Sequence, residues 1–250
     1  MKNPVLEVRE LSGSMRVGPP IADAGSVSLT PGSTVCLVGE SGSGKSMIAN
    51  AIIGLLPSKQ LSVAGGDVRF RGESVTGLAP GAMRDLRGRR ISMIFQDPMS
   101  ALNPVRNIRT QFDEVFSAHC VAPEGGRDAR MRELLELAHL PDPRRILDSY
   151  PFELSGGQRQ RVMISMAMAL NPDLLIADEP TTALDVTTQA QILKLIGELR
   201  KSFGTAVLFI THDFGVVAEI ADEVVVLRHG RIVEQGRLEN VPGNPPHAYT

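Results

Sequence analysis

The sequence predicts an α/β fold: a mainly parallel sheet with an antiparallel β element near the N-terminus and a helical insertion in the middle of the chain. Three observations predict it. Val35-Cys36-Leu37-Val38 is a continuous apolar run, as in a strand buried on both faces, and it ends in a glycine-rich loop before a helix-forming stretch. Similar apolar runs recur at residues 174–177, 206–210 and 224–227, with a helical stretch at 187–203 between the first two. From about Asn103 to Tyr150 strand signals fade, and Leu134, Leu135, Leu137 and Ala138 recur at helical spacing.

In chain order, residues 5–8 and 26–29 read as short strands, and the turn Thr30-Pro31-Gly32 closes the second. The buried run 35–38 comes next, and a helix is expected from near Lys45. Residues 68–71 alternate as a half-exposed strand does. Residues 91–95 form another strand, closed by Gln96-Asp97-Pro98. Pro141 and Pro143 punctuate the helical region. Residues 162–170 read as a helix stopped by Asn171-Pro172-Asp173. Arg228-His229-Gly230-Arg231 turns the last strand into a hairpin with Ile232-Val233-Glu234, and residues 241–246 are rich in proline and glycine.

Composition narrows the function classes. The 250 residues are 42% apolar and 22% charged with a net charge of −2, which excludes a large basic field for nucleic acid. Two cysteines, Cys36 and Cys120, with no CxxC spacing, suit a reducing compartment. No apolar run approaches the roughly 18–20 residues of a membrane span. Met1-Lys2-Asn3-Pro4 lacks the apolar core of a signal peptide. A cytoplasmic chain is expected, able to dock on a membrane protein.

Two motifs carry chemistry by themselves. Gly39-Glu40-Ser41-Gly42-Ser43-Gly44-Lys45-Ser46 matches GxxxxGK[ST] between a strand and a helix. Such a loop turns backbone N–H groups onto a β-phosphate, assisted by the helix dipole. Lys45 is expected to bridge the β- and γ-phosphates, and Ser46 to bind Mg²⁺. Asp178-Glu179 ends a buried strand, where parallel sheets bind ligands. Asp178 is expected to hold Mg²⁺ through water, and Glu179 to act as general base on the attacking water.

Between these motifs lies Leu154-Ser155-Gly156-Gly157-Gln158, which resembles the signature of the ATP-binding cassette (ABC) family. The resemblance runs from Val5 to Tyr249. It implies a phosphate-loop NTPase core of the RecA-like kind. It also implies roles for single residues. Gln96 matches the Q-loop glutamine that contacts Mg²⁺ or water, and His212 the switch histidine at the γ-phosphate. Asp185 matches the D-loop aspartate of the dimer interface. Ser155, Gly156, Gly157 and Gln158 match signature positions, of which Ser155 and Gly157 face the γ-phosphate of ATP held by the opposite subunit. In isolation, Gln96 reads first as a strand-end amide, His212 as a satisfied loop histidine and Asp185 as a helix cap.

A narrower likeness joins the chain to peptide and nickel importer ATPases. It rests on Phe95-Gln96-Asp97-Pro98-Met99-Ser100-Ala101-Leu102-Asn103-Pro104, on Asp178-Glu179-Pro180-Thr181-Thr182-Ala183-Leu184-Asp185-Val186-Thr187, and on Pro246-His247-Ala248-Tyr249-Thr250. Members usually continue past that last motif, so the resemblance points to a truncated chain or one half of a fused protein. One departure stands out. The family stacks adenine on an aromatic residue ahead of the phosphate loop, but Ser12-Gly13-Ser14-Met15-Arg16-Val17 has none, leaving Met15, Arg16 or Val17 for the base.

The expected organisation is a single ABC ATPase domain over residues 1–250. Residues 1–96 and 160–240 form its nucleotide-binding core, 97–159 a helical insertion with the signature, and 241–250 the start of a C-terminal extension. The implied activity is ATP hydrolysis that powers uptake of a small solute such as a peptide or nickel. The implied partners are a second ATPase subunit, identical or homologous, two transmembrane permease subunits and, indirectly, an extracytoplasmic solute-binding protein, at the cytoplasmic face of the membrane. Residues 97–107 with the adjoining insertion are the candidate docking surface, with Arg106 and Arg109 as its charged probes. A soluble ABC ATPase of translation or repair lacks here its second cassette or coiled-coil insertion. A phosphate-loop kinase leaves the signature and His212 without roles, and a non-catalytic subunit conflicts with Lys45, Asp178, Glu179 and His212. Arg84, Arg87, Arg89 and Arg90 read as a solvated face, Met163, Met166 and Met168 as core. The histidines at 119, 139, 229 and 247 have no ligand spacing.

Overall fold

The computed structural model describes residues 3–15, 21–56, 61–97, 101–182 and 184–238, with residues 12–15, 21–24 and 61–64 described by their backbone. The chain forms two compact units, Met1–Arg84 with Thr205–Thr250, and Asp85–Gly204.

In the first unit, β4 (Thr34–Val38) is buried at every position, as its unbroken apolar run requires. It lies parallel between β9 (Ala206–Thr211) and β10 (Glu223–Arg228). Burial pushes the Cys36 thiol up to about 12, with the Asp222 carboxylate adding to it, so Cys36 is inert core. β10 turns into β11 (Arg231–Arg237) through His229 and Gly230, at φ 47° and 77°. Two consecutive positive φ values are what a two-residue hairpin with the sheet's own twist demands.

The antiparallel element is larger than the short strands expected at 5–8 and 68–71. β1 (Leu6–Met15) and β5 (Leu61–Phe70) pair along most of their length. β2 (Ile21–Ala24) and β3 (Val27–Leu29) also lie on β1, and β6 (Glu73–Ser74) lies on β5. The order in this unit is β6-β5-β1-β2-β11-β10-β4-β9, with β3 beside β1. Among the described residues α1 (Lys45–Ile52) and α8 (Phe214–Ile220) belong to it, and α2 (Pro80–Leu86) begins in it and runs past its end at Arg84.

In the second unit, β7 (Ile91–Ile94) pairs in parallel with β8 (Leu174–Asp178). The region read as helical contains α3 (Ile108–Ala118), α4 (Arg127–Leu137) and α5 (Pro143–Asp148). α6 (Gly156–Ala167) and α7 (Val186–Phe203) complete the unit. α4 packs on α5 and α6, and α6 on β7 and α7. Phe112, Phe116, Met131, Leu134, Val162 and Ile164 are buried in this unit. Met163 and Met168 are buried as expected, with Met166 half-buried beside them. Arg130 reaches from α4 to the carbonyls of Met168 and Ala169 and to Asn171, its guanidinium 5.0 Å from the centre of the Phe203 ring.

Arg90, Arg106 and Arg109 have structural work. Arg90 pairs with Asp173, and its carbonyl accepts the N–H groups of Asp173 and Leu174. It ties β8 to β7 rather than belonging only to a solvated face. Arg106 pairs with Glu114, and Arg109 joins α3 to Asp128 on α4 and Asp148 on α5. Charge reversal at Arg109 therefore acts on the insertion's own packing.

Asp128 is held below the ordinary carboxylate range, chiefly by its hydrogen bond from Arg109. Its folded pKa lies under its unfolded value, so the pair's stabilisation is complete above the unfolded carboxylate range and is lost as pH falls through the lowered folded value. Arg109→Ala should lower stability by about 1 kcal/mol near neutral pH and by nothing once Asp128 is protonated in both states. Denaturant unfolding at pH 7 and at strongly acidic pH checks it.

Candidate nucleotide site

The phosphate loop leaves β4 as a tight fold over its own lysine. Lys45 is 5% exposed, and its Nζ donates to the carbonyls of Gly39 and Glu40 at 2.7 and 3.0 Å. Gly39 admits no side chain: a Cβ there would sit 2.3 Å from the Leu227 carbonyl oxygen and 2.7 Å from Ser43 Oγ. The hairpin grips the loop again where the Gly230 N–H donates to the Ser43 carbonyl at 2.9 Å. Ser43 Oγ is buried without a hydrogen-bond partner among the described residues. Gly44 caps α1 without a side-chain cap hydrogen bond. A buried orphan hydroxyl, a lysine and a helix N-terminus suit a phosphate chain. Glu40, Ser41 and Gly42 on this loop and Ser46 in the first turn of α1 are exposed to solvent.

His212 comes directly after β9. Val38 pairs with Thr211, so the chain segments that begin with Gly39 and His212 leave neighbouring parallel strands side by side. Asp213 accepts the Gly215 N–H at 2.7 Å and starts α8, and its own N–H donates to Thr211 Oγ1.

In the second unit, Ile94 pairs with Ala177, so Gln96 and Glu179 also leave adjacent strands. Asp178 is the last residue of β8 and is buried. Glu179 takes φ 45°, a left-handed conformation uncommon for a residue with a side chain. Gln96 Nε2 donates to Glu179 Oε2 at 3.1 Å, and Thr182 Oγ1 donates to the same oxygen at 3.1 Å. The turn closes with the Thr182 N–H on the Glu179 carbonyl. Gln160, 1% exposed on α6, donates to the Pro180 carbonyl at 2.5 Å. Neither Thr182 nor Gln160 stands out in the sequence. A turn hydroxyl and a helical amide look alike anywhere, and only their partners give them meaning.

The signature forms the start of α6, earlier than the helix read from residue 162. Ser155 is its N-cap: Oγ accepts the Gln158 N–H at 3.2 Å, and Gln158 Oε1 accepts the Ser155 N–H at 2.9 Å. This is a reciprocal capping box. Asp185 likewise caps α7, accepting from Thr188 N–H and Oγ1 at 2.9 and 2.8 Å. Those two bonds, the backbone one first, hold its carboxyl below the usual range. Gly157 lies against Thr188, which brings the two caps together. Beside them opens a cavity of about 250 Å³ lined by Ser155, Gly157, Gln158, Arg161, Thr188 and Gln191.

Among the described residues no group of three or more His, Cys, Asp or Glu could hold a metal, and no helix is long and apolar enough to cross a membrane. The expected adenine segment falls on Met15, Arg16 and Val17, whose side chains lie outside the described residues, as do Pro98–Ser100 of the docking segment and residues 239–250.

Phosphate loop, acidic strand end, capped glycine signature and a histidine directly after β9, each at the end of its strand or the start of its helix, are the marks of an ATP-binding cassette. Residues 23–182 match the family model described as ABC transporter. The chain belongs to the ABC transporter family. It is 50% identical to the peptidoglycan transport ATP-binding protein YejF of Agrobacterium fabrum over 99% of its length, and spans 46% of that relative. It is 45% identical to the oligopeptide transport ATP-binding protein OppD of Lactococcus lactis subsp. cremoris, over 98% of this chain and 73% of that one. Among solved structures it resembles a dimeric ATP-binding cassette in a post-hydrolysis state bound to ADP and Pi, with TM-score 0.78 and 27% identity over 94% of this chain and 99% of that one. The chain thus spans about half the length of the Agrobacterium relative.

A Cβ on Gly157 would meet Thr188 Cγ2 at 3.0 Å, tighter than ordinary packing. Alanine in a helix is otherwise favoured over glycine by about 1 kcal/mol. Gly157→Ala should therefore be less stable than Gly157→Ala/Thr188→Ser by about 1 kcal/mol, because serine keeps the cap and removes the methyl. Thermal unfolding of the two variants checks it.

Proposed function

We propose that this chain hydrolyses ATP to power import of a small solute, most directly a peptide, through membrane partners. The observation that carries the reading is the Gln96 amide on the Glu179 carboxylate at the end of a buried strand. The names of the relatives, peptidoglycan and oligopeptide transport proteins, favour a peptide cargo. Residues 1–96 and 160–240 serve as the nucleotide-binding core, and residues 97–159 as the helical insertion that meets the permease subunits at the cytoplasmic face.

Lys45 and the first-turn N–H groups of α1 bind the phosphates. Ser46, Gln96 and, through water, Asp178 would hold Mg²⁺. A hydroxyl, an amide carbonyl and one carboxylate form the sparse oxygen donor set that this ion accepts while keeping several waters. When bound, the ion supplies neutralising charge to the phosphates. Glu179 accepts a proton as a water oxygen bonds to the γ-phosphorus. The bond from that phosphorus to the bridging oxygen breaks, and ADP and phosphate leave. His212 orients the γ-phosphate from its own chain. Ser155 and Gly157 of a second ATPase subunit, identical or homologous, close the other side, with Asp185 at the subunit interface. ATP then acts as the adhesive, and hydrolysis loosens it.

Two variants test the assignment. Glu179→Gln should keep ATP affinity and lose turnover about 10²-fold or more, since a general base is worth that much. Lys45→Ala should lose affinity itself. Near-normal turnover in the first, or unchanged binding in the second, measured by phosphate release and nucleotide titration, would remove that residue from its role.

A further inference from the structure

We infer that Thr182 is a positioning residue for hydrolysis, its hydroxyl fixing the Glu179 carboxylate in place; this rests on the reading of Glu179 as general base. Thr182 Oγ1 and Gln96 Nε2 meet the same carboxylate oxygen, each at 3.1 Å. The two donors differ in independence. Gln96 comes from just past β7, 83 positions away in the chain. Thr182 sits three residues from the base, inside the base's own turn.

That turn is fixed at several points. Glu179 holds φ 45°, which sends the chain back on itself directly after the buried strand. The Thr182 N–H closes the turn on the Glu179 carbonyl at 3.2 Å. The buried Gln160 amide holds the Pro180 carbonyl, and Thr181 is 8% exposed. The backbone beneath Thr182 therefore leaves its hydroxyl aimed at the carboxylate whatever Gln96 does. A carboxylate that must take a proton from one water gains from a fixed orientation, because small misplacements at a reacting centre are costly in rate. Charge-assisted hydrogen bonds of this kind hold geometry better than neutral ones.

Two substitutions separate this role from packing. Thr182→Val keeps the branched shape and loses the donor, whereas Thr182→Ser keeps the donor and loses the methyl. In the full 250-residue chain, Thr182→Val should lower kcat about tenfold with the Kd for ATP changed less than about twofold, and Thr182→Ser should restore kcat. On a Glu179→Gln background Thr182→Val should add little, since the carboxylate it orients is gone. Wild-type kcat in Thr182→Val, or loss in Thr182→Ser with Thr182→Val intact, would overturn the inference and leave a packing role. Glu179→Gln measured alongside separates the two failures. If it is inactive while Thr182→Val is normal, only the Thr182 assignment falls. If it retains turnover, the general-base reading falls and this inference with it.

Discussion

A strand buried on both faces cannot carry a charged group along its length, so the polar chemistry of this chain is confined to the places where such strands stop. β4, β8 and β9 are buried at every position, and the phosphate loop, Asp178-Glu179 and His212 come at their ends. Register then decides which ends are neighbours. Val38 against Thr211 sets the phosphate loop beside His212, and Ile94 against Ala177 sets Gln96 beside Glu179. No side chain in either pair needs a long reach, because parallel pairing has already delivered both partners to adjacent strand ends.

Beyond the strand ends the backbone is held in uncommon shapes. The phosphate loop turns so tightly that Gly39 lies against the Leu227 carbonyl, and the Glu179 turn uses a left-handed residue. Each is locked from outside: the loop by Gly230 of the hairpin, the turn by Gln160 of α6. The second lock has a mechanistic side. α6 begins with the signature, so the helix that carries Ser155 and Gly157 at its start also braces, through the buried Gln160 amide, the turn that holds the chain's own carboxylate. Arg109 and Arg130 play a similar part farther out: Arg109 fastens α3 to α4 and α5, and Arg130 fastens α4 to the end of α6, so that the insertion presents one shape.

Much of this is legible in the sequence, for a physical reason. Buried parallel strands must be continuously apolar, which makes 35–38, 174–177 and 206–210 plain, and GxxxxGK[ST] needs its glycines for backbone geometry. The hairpin at His229-Gly230 is legible because few residues tolerate positive φ. The antiparallel element is harder. β1 and β5 run to ten residues each, yet Gly13, Gly65 and Gly66 interrupt their alternation, so only their apolar ends read as strand. β2 and α8 are too short to show a period. The start of α6 reads late because Gly156-Gly157 looks like a helix breaker, although Ser155 and Gln158 spell a capping box. Asp185 illustrates the opposite case: its bland reading as a cap is what the structure contains, and an interface role is compatible with it because a capping carboxylate remains exposed. The roles of Arg90 and Arg109 depend on partners that lie far along the chain, which no local pattern encodes.

The account turns on a site that one subunit leaves open and a second subunit closes. Light scattering on the Glu179→Gln chain, with and without Mg·ATP, tests this most directly. The account predicts that the 26.9 kDa species, alone or mixed with a homologous ATPase subunit, about doubles in mass only when ATP is present and returns to monomer when nucleotide is removed. A chain that binds ATP and stays at 26.9 kDa both alone and mixed with a homologous ATPase subunit would contradict it.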